Sequence, residues 1–302
     1  MYDVIILGGG AAGLTAALYA RRYGLGVMLA EELYLGGQII NTSEIENYPG
    51  HSTPISGFDL INEFEKQVRK YDPVIMYETV MGVDFDGAVK KVKTAANVYE
   101  SRCVIIATGQ NPRELGIPRE NELRGSGVSY CAACDGNFFK GKTVGVVGGG
   151  NTAVTEALYL GRICGKVYII HRRDSFRAAQ AEVNKLMDAG NIQPVMNARV
   201  TELFGENRVE GVRISETGGA SRDLELSALF IAVGAIPKSD LFKGILYLDE
   251  HGYIVTDDET RTSIPGVFAA GDVRKKTLRQ LITAASDGAT AAHNAMLYIQ
   301  ED

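Results

Sequence analysis

The chain has only four cysteines in 302 residues, Cys103, Cys131, Cys134 and Cys164, too few for a disulfide scaffold at this length. No apolar run reaches about 18 residues, so no membrane-spanning helix is expected. No basic excess exists either. The net charge of −6 argues against general binding to nucleic acid or to a membrane surface. The opening "MYDVIILGGG" lacks the basic region of a signal peptide, which leads to the expectation of a cytoplasmic protein. What is present is ordinary soluble composition and a length that favours two domains over one.

Cys103 opens the apolar run "CVIIATG" and Cys164 follows a helical pattern, so both read as buried packing residues. The other two stand together in "SYCAACDGNFF", with Asp135 directly after the second. Such a lone CxxC can be a metal clip, a structural staple or a redox-active pair.

The first forty residues carry a recognisable plan. "DVIIL" reads as a strand buried on both faces. Gly8, Gly10 and Gly13 then space out G-x-G-x-x-G, a helical pattern runs to a stop at Gly24, and "GVMLAE" ends in Glu31. A GxGxxG alone is weak evidence. Strand, turn, helix, second strand and acid in this order form a dinucleotide-binding unit. The glycines let the backbone approach a pyrophosphate at the helix N-terminus, and Glu31 can hold a ribose hydroxyl.

The plan returns at "KTVGVVGGGNTAVTEALYLGRICGKVYIIHRRDSFR", with strands expected at 143–147 and 166–170. Gly148, Gly150 and Ala153 make the G-x-G-x-x-A version, followed by Asn151, Thr152 and the rest of a helix. Where the first copy ends in an acid, this one ends in His171, Arg172 and Arg173, with Arg177 just after. An acid would repel a 2′-phosphate, whereas arginines grip it through charge-assisted hydrogen bonds. The second site therefore reads as one for NADPH, the first as one for an adenine nucleotide without that phosphate.

"CVIIATGQNPR" (103–113) and "LFIAVGAIPKS" (229–239) share an apolar strand, A-x-G and a proline, and one closes each copy. A later segment, "GVFAAGDVRKKTLRQLITAASDGATAA", lies outside both repeats and is expected to complete the first domain. The expected fold is α/β, with two Rossmann-like, three-layer dinucleotide-binding domains, the second inserted in a discontinuous first. The expected boundaries are 1–113 with 242–302, and 114–241. Hinges are expected near 112–118 and 235–244, which contain proline and glycine.

Taken in order, "GGGAAGLTAALYA", "GGQI", "IENYPG", "ATG", "CAACDG", "GGGNTA", "HRRDSFRA" and "GVFAAGDV…RQ" resemble the low-molecular-weight thioredoxin reductases over essentially the whole chain. The resemblance implies FAD as the first nucleotide, its ADP half held at Gly8, Gly10, Gly13 and Glu31. It places Ala107, Thr108, Gly109 and Gly271 in the same site. It also implies Gln38 and Asn47 near the flavin ring, Asp272 near the ribityl chain, and Arg279 and Gln280 beside the flavin end. A homodimer in contact mainly through its FAD domains is implied as well. Ala133, Asn151, Thr152 and Thr155 depart from residues frequent in the family.

Zinc needs about four ligands, and the chain offers no second CxxC and only four histidines, so no metal site is expected. A staple across so short a loop gives little entropic stabilisation. Redox activity remains. NADPH delivers a hydride, disulfide reduction needs two electrons and two protons, and a flavin converts one into the other. A dithiol at Cys131 and Cys134 can reduce a partner disulfide through a mixed disulfide, with Asp135 placed to exchange a proton. The resemblance implies that Cys134 faces the flavin and Cys131 attacks thioredoxin. Cysteines and flavin belong to different domains, so a rotation of residues 114–241 about the crossings is expected between half-reactions. A reductase of the same fold acting on a glutaredoxin-like or peroxiredoxin-system protein is the alternative.

Overall fold

A computed structural model describes residues 1–42 and 44–301. The chain divides into two compact units, Met1–Asn111 with Ile236–Asp302, and Pro112–Ala235. The crossings thus fall at 111/112 and 235/236, and residues 236–241 group with the first unit. At the crossings, Lys238 N–H bonds to the Gly109 carbonyl at 2.9 Å within the first unit, and Arg113 N–H to the Gly234 carbonyl at 3.0 Å within the second.

The first unit is built on a seven-stranded sheet. Strand Tyr2–Leu7 lies parallel between Val27–Glu31 and Val98–Ile106, and Val74–Tyr77 extends the parallel edge. The long strand Val98–Ile106 is shared: its first half pairs antiparallel with Lys90–Thr94, its second half parallel with Val267–Ala269. Its middle explains the apolar runs in the sequence. Val4 and Ile6 face a helical layer, while Ile5 and Leu7 face a second core with Met28, Val104 and Phe242. A sheet covered on both faces requires continuous apolar strands.

The helical layer contains Ala11–Arg22 and Leu281–Glu301, packed through small residues, Ala16, Ala17, Ala291, Ala292 and Ala295. A Cβ on Gly288 would collide with the Ala12 carbonyl oxygen, so this glycine sets the distance between the helices. Gly288→Ala is expected to destabilise the first unit by about 3 kcal/mol, the upper range for overpacking. An unchanged unfolding midpoint would show that the helices can separate freely. Helix Ala11–Arg22 stops where the sequence suggests: Gly24 takes φ +83°, and its N–H bonds to the Arg21 carbonyl at 3.0 Å.

The second unit repeats the theme. Ile192–Val195, Lys166–Ile170, Thr143–Val147, Ala228–Ile231 and Val128–Ser129 form a five-stranded parallel sheet in that order. An antiparallel meander of Ala198–Phe204, Gly211–Glu216 and Ser221–Glu225 stands beside it as a separate sheet. Helix Asn151–Ile163 packs Ala153, Val154, Ala157 and Leu160 onto the parallel sheet. Both units are Rossmann-like α/β domains, and Cys103 and Cys164 lie outside the disulfide and are buried, as packing residues should be. Among the described residues no helix is long and apolar enough to cross a membrane.

Candidate active site

The first glycine turn is shaped by backbone packing. Gly8 sits at φ +104°, where a Cβ would meet the Ala107 carbonyl oxygen at 2.5 Å, and a Cβ on Gly13 would collide with the Gly8 carbonyl. Gly10 is the helix N-cap, with nothing nearer than 3.8 Å to a Cβ position. No side chain caps this N-terminus and no acid lies in its first turn, which leaves its N–H groups and positive dipole end available to an anion. Glu31 closes the second strand. Its Oε2 accepts the Gly9 N–H at 2.7 Å and its Oε1 the Glu32 N–H at 2.9 Å, so the acid also braces the turn.

The remaining first-unit candidates gather from distant segments. Asn47 Nδ2 donates to Gln280 Oε1 at 3.1 Å across 233 positions, and Gln38 Nε2 donates to Asn111 Oδ1 at 3.1 Å. Thr108 Oγ1 donates to the Lys238 carbonyl at 2.7 Å, beside Gly109 at φ +69°. The Arg279 guanidinium lies 4.0 Å over the Tyr253 ring. Burial raises the Asp272 carboxyl above its usual range, against the pull of Lys276 and Arg279.

Sequence reasoning missed what holds this corner. Asp287 accepts the Gly271 N–H at 3.0 Å and pairs at 3.0 Å with both Arg274 and Lys276, and Lys276 lies 3.5 Å from Asp272. Arg279 Nε is buried without a hydrogen-bond partner. An uncapped helix N-terminus, a glycine cradle and an orphaned Arg279 N–H are what a bound dinucleotide would satisfy, so the residues fit the FAD that the resemblance implies.

The second glycine turn has the same construction. Gly148, at φ +154°, approaches the Ala232 carbonyl, and Gly150 caps helix Asn151–Ile163 with no side-chain bond and no acid in the first turn. Ala153 is fully buried beneath, and Asn151 Oδ1 accepts the Ala179 N–H at 2.8 Å, tying the helix start to the segment after Arg177. Thr152 is exposed. Arg172, Arg173 and Arg177 are all exposed, and among the described residues none forms an ion pair. Three unpaired guanidinium groups suit a phosphate.

His171 is placed differently. It is 5% exposed, stacked on Phe176 at 5.7 Å and packed against Gly149, where a Cβ would strike the ring. Burial, then Arg177 and Arg173, push its pKa down, so it fills space as a neutral ring behind the turn.

Cys131 and Cys134 are joined in a disulfide, with Cα atoms 5.3 Å apart, at the short helix Ala132–Asp135. Cys131 and Cys134 are half-buried and exposed groups flank them only at Ala133. Asp135 is brought to the pair by Ser129, whose Oγ donates to Asp135 Oδ2 at 2.6 Å and accepts the Cys131 N–H at 3.1 Å. Burial raises the Asp135 pKa, partly offset by that bond. Two further groups surround the helix. Tyr130 O–H donates to Glu120 at 2.8 Å, and buried Glu120 also accepts the Leu115 and Gly116 N–H groups, so the stretch before Cys131 is anchored to the segment just beyond the crossing. Glu156 Oε1 accepts the Ala132 N–H at 3.4 Å, while its Oε2 is sealed from solvent without a partner.

Burial pushes the Glu156 carboxyl from 4.5 up to about 7, opposed only by the Ala132 N–H. A carboxyl whose folded pKa is raised favours folding while protonated. That contribution is complete below about pH 4.5 and lost as pH rises to about 7. The shift corresponds to about 3 kcal/mol. Glu156→Gln removes the titration. Its stability relative to the parent protein is therefore expected to improve by about that amount between pH 4.5 and pH 8 in unfolding titrations. A difference that stays constant with pH would place the charge in water.

The chain belongs to the pyridine nucleotide-disulphide oxidoreductase family, whose pattern matches residues 2–288. It is accordingly an oxidoreductase enzyme that uses a flavin and a pyridine nucleotide. Within that family it is similar to thioredoxin reductases. It is 45% identical to the thioredoxin reductase of Treponema pallidum, with 99% of this chain and 97% of that protein covered. The Peptoclostridium acidaminophilum enzyme is 43% identical, covering 99% and 98%. The crystal structure of the Streptococcus pyogenes thioredoxin reductase superposes with a TM-score of 0.95 at 41% identity, covering 100% of this chain and 99% of that one.

Proposed function

We propose that the protein is a thioredoxin-disulfide reductase that draws on NADPH and FAD. The observation that carries this reading is the Cys131–Cys134 disulfide with Asp135 beside it, in the same unit as an uncapped dinucleotide turn and three unpaired arginines. The first unit, Met1–Asn111 with Ile236–Asp302, would hold FAD through Gly8, Gly10, Gly13 and Glu31 at the ADP end. Gln38, Asn47, Asp272, Arg279 and Gln280 would serve toward the flavin end. A flavin held there would supply hydride acceptance from NADPH and two-electron reduction of the disulfide. The second unit, Pro112–Ala235, would bind NADPH, with the Gly150–Ala153 turn under the pyrophosphate and Arg172, Arg173 and Arg177 on the 2′-phosphate.

The side chains do the proton and sulfur chemistry. Two electrons break the Cys131–Cys134 bond, and two protons are needed to make both thiols. Asp135, its pKa raised by burial and its carboxyl oriented by Ser129, is placed to exchange a proton with the pair. The Cys131 thiolate attacks the thioredoxin disulfide to form a mixed disulfide. Cys134 then displaces thioredoxin from Cys131, re-forming the internal disulfide and releasing thioredoxin as a dithiol. Because dithiol and flavin belong to different units, the second unit is proposed to turn about the two crossings between half-reactions.

A homodimer through the first unit is also proposed, as the resemblance implies. A cytoplasmic location accords with two cysteines that form no disulfide. The test is anaerobic NADPH oxidation on adding oxidised thioredoxin, with NADH in parallel. Fast, NADPH-selective turnover is expected. Turnover with a glutaredoxin-like protein and none with thioredoxin would overturn the choice of acceptor.

A further inference from the structure

We propose that Glu156 is a positioning residue of the dithiol centre, its carboxyl charge-coupled to Cys131 and Cys134 through the short helix between them. This rests on the reading of that pair as the redox centre. Helix Ala132–Asp135 packs directly on helix Asn151–Ile163, and the N–H that meets Glu156 belongs to Ala132, the residue following Cys131. The second carboxyl oxygen is buried with no donor at all. A structural acid in such a place would have found a second partner or given way to an apolar residue.

The surroundings isolate the two charges from others. The elements packed against the Glu156 helix carry Asp135, Lys166, Tyr168, Glu182, Lys185 and Asp188, and its own helix carries Tyr159 and Arg162. Lys185 pairs with Glu182, Lys166 lies on the Tyr168 ring, and none of the eight contributes to the Glu156 shift, which comes from burial and Ala132 alone. The geometric link is the Ala132 N–H, which joins Glu156 to the residue after Cys131, so charge that appears on the reduced pair, like that on Asp135 of the same helix, acts on this carboxyl.

Reduction breaks the S–S bond with two electrons, supplied by NADPH in the proposed reaction. The sulfurs bind two protons if both become thiols and one if a thiolate remains. An ionised Glu156 opposes that thiolate, and a protonated Glu156 permits it. The centre thus holds its negative charge on sulfur or on the carboxyl, and the proton moves to whichever group is neutral. An attacking thiolate at Cys131 is then favoured while Glu156 retains its proton.

The test uses the whole protein reduced with dithiothreitol, which closes to its own cyclic disulfide and is then removed anaerobically. Rates of iodoacetamide alkylation at Cys131 and Cys134 are followed by peptide mass spectrometry from pH 5.5 to 9.5. Buried Cys103 and Cys164 serve as internal controls. For Glu156→Gln the rate profile is expected to shift down by about one pH unit, the size of one nearby charge. Asp135→Asn is expected to keep the parent's deflection from a single-thiol curve near pH 7. Identical profiles for Glu156→Gln and the parent would overturn the proposal. So would a deflection lost in Asp135→Asn and kept in Glu156→Gln. Should Glu156→Gln fail to fold, the Asp135→Asn profile decides alone: a simple single-thiol curve there overturns the coupling. Because dithiothreitol supplies the electrons, failure of NADPH to reduce the pair would count against the proposed function and leave this result standing.

Discussion

Cys134→Ser is expected to abolish thioredoxin reduction, with a fall of about a thousandfold or more to background, while NADPH still bleaches the flavin absorbance. The reasoning is chemical. A serine hydroxyl cannot form or break a sulfur bond, so no two-electron carrier remains between flavin and partner. The hydride-accepting half-reaction uses none of the cysteine chemistry and should persist. The substitution is nearly isosteric and Cys134 is only half-buried, so folding is not at stake. Thioredoxin turnover retained at even a tenth of the parent rate would overturn the assignment of the pair.

The second large effect concerns the nucleotide. Replacing Arg172, Arg173 and Arg177 together by alanine should lower kcat/KM for NADPH about a hundredfold, equivalent to about 2.7 kcal/mol. Charge-assisted hydrogen bonds contribute roughly 1.5–3 kcal/mol each, so two lost contacts suffice. The value for NADH, which lacks the 2′-phosphate, should change by less than about twofold, since those arginines would have nothing to grip. All three are exposed and free of ion pairs, which removes a trivial structural explanation for a selective loss. Equal losses for the two nucleotides would mean that the arginines hold the loop and not the phosphate.

The parts of the molecule legible in the sequence are those dictated by backbone geometry. Gly8 and Gly13 must be glycine because carbonyl oxygens occupy the space of a side chain, so the need for them shows directly as a spacing of residues along the chain. The buried parallel strands announce themselves as continuous apolar runs for a similar reason. Ser129, Glu120, Glu156 and Asp287 carry no such signal. Each acts through a contact made by folding, and a single polar residue in a loop or helix reads as solvated. Glu156 offers one trace after the fact. It lies three residues after buried Ala153 and four before buried Leu160, on the flank of the apolar stripe. His171 shows the converse. Beside three arginines it reads as a fourth basic group, yet it continues the buried strand Lys166–Ile170 and takes the space that Gly149 leaves open. The antiparallel meander at 198–225 carries a weak sequence signal, because the alternation of its first strand is interrupted by a register shift between Val200 and Glu202.

The central claim is that electrons from NADPH arrive at the sulfurs of Cys131 and Cys134. It is tested most directly by adding excess NADPH anaerobically, quenching in acid, alkylating the thiols and mapping them by mass spectrometry. Cys131 and Cys134 are expected to become alkylated together, quickly with NADPH and far more slowly with NADH, with no change at buried Cys103 or Cys164. NADPH consumed with the Cys131–Cys134 disulfide still intact would contradict it.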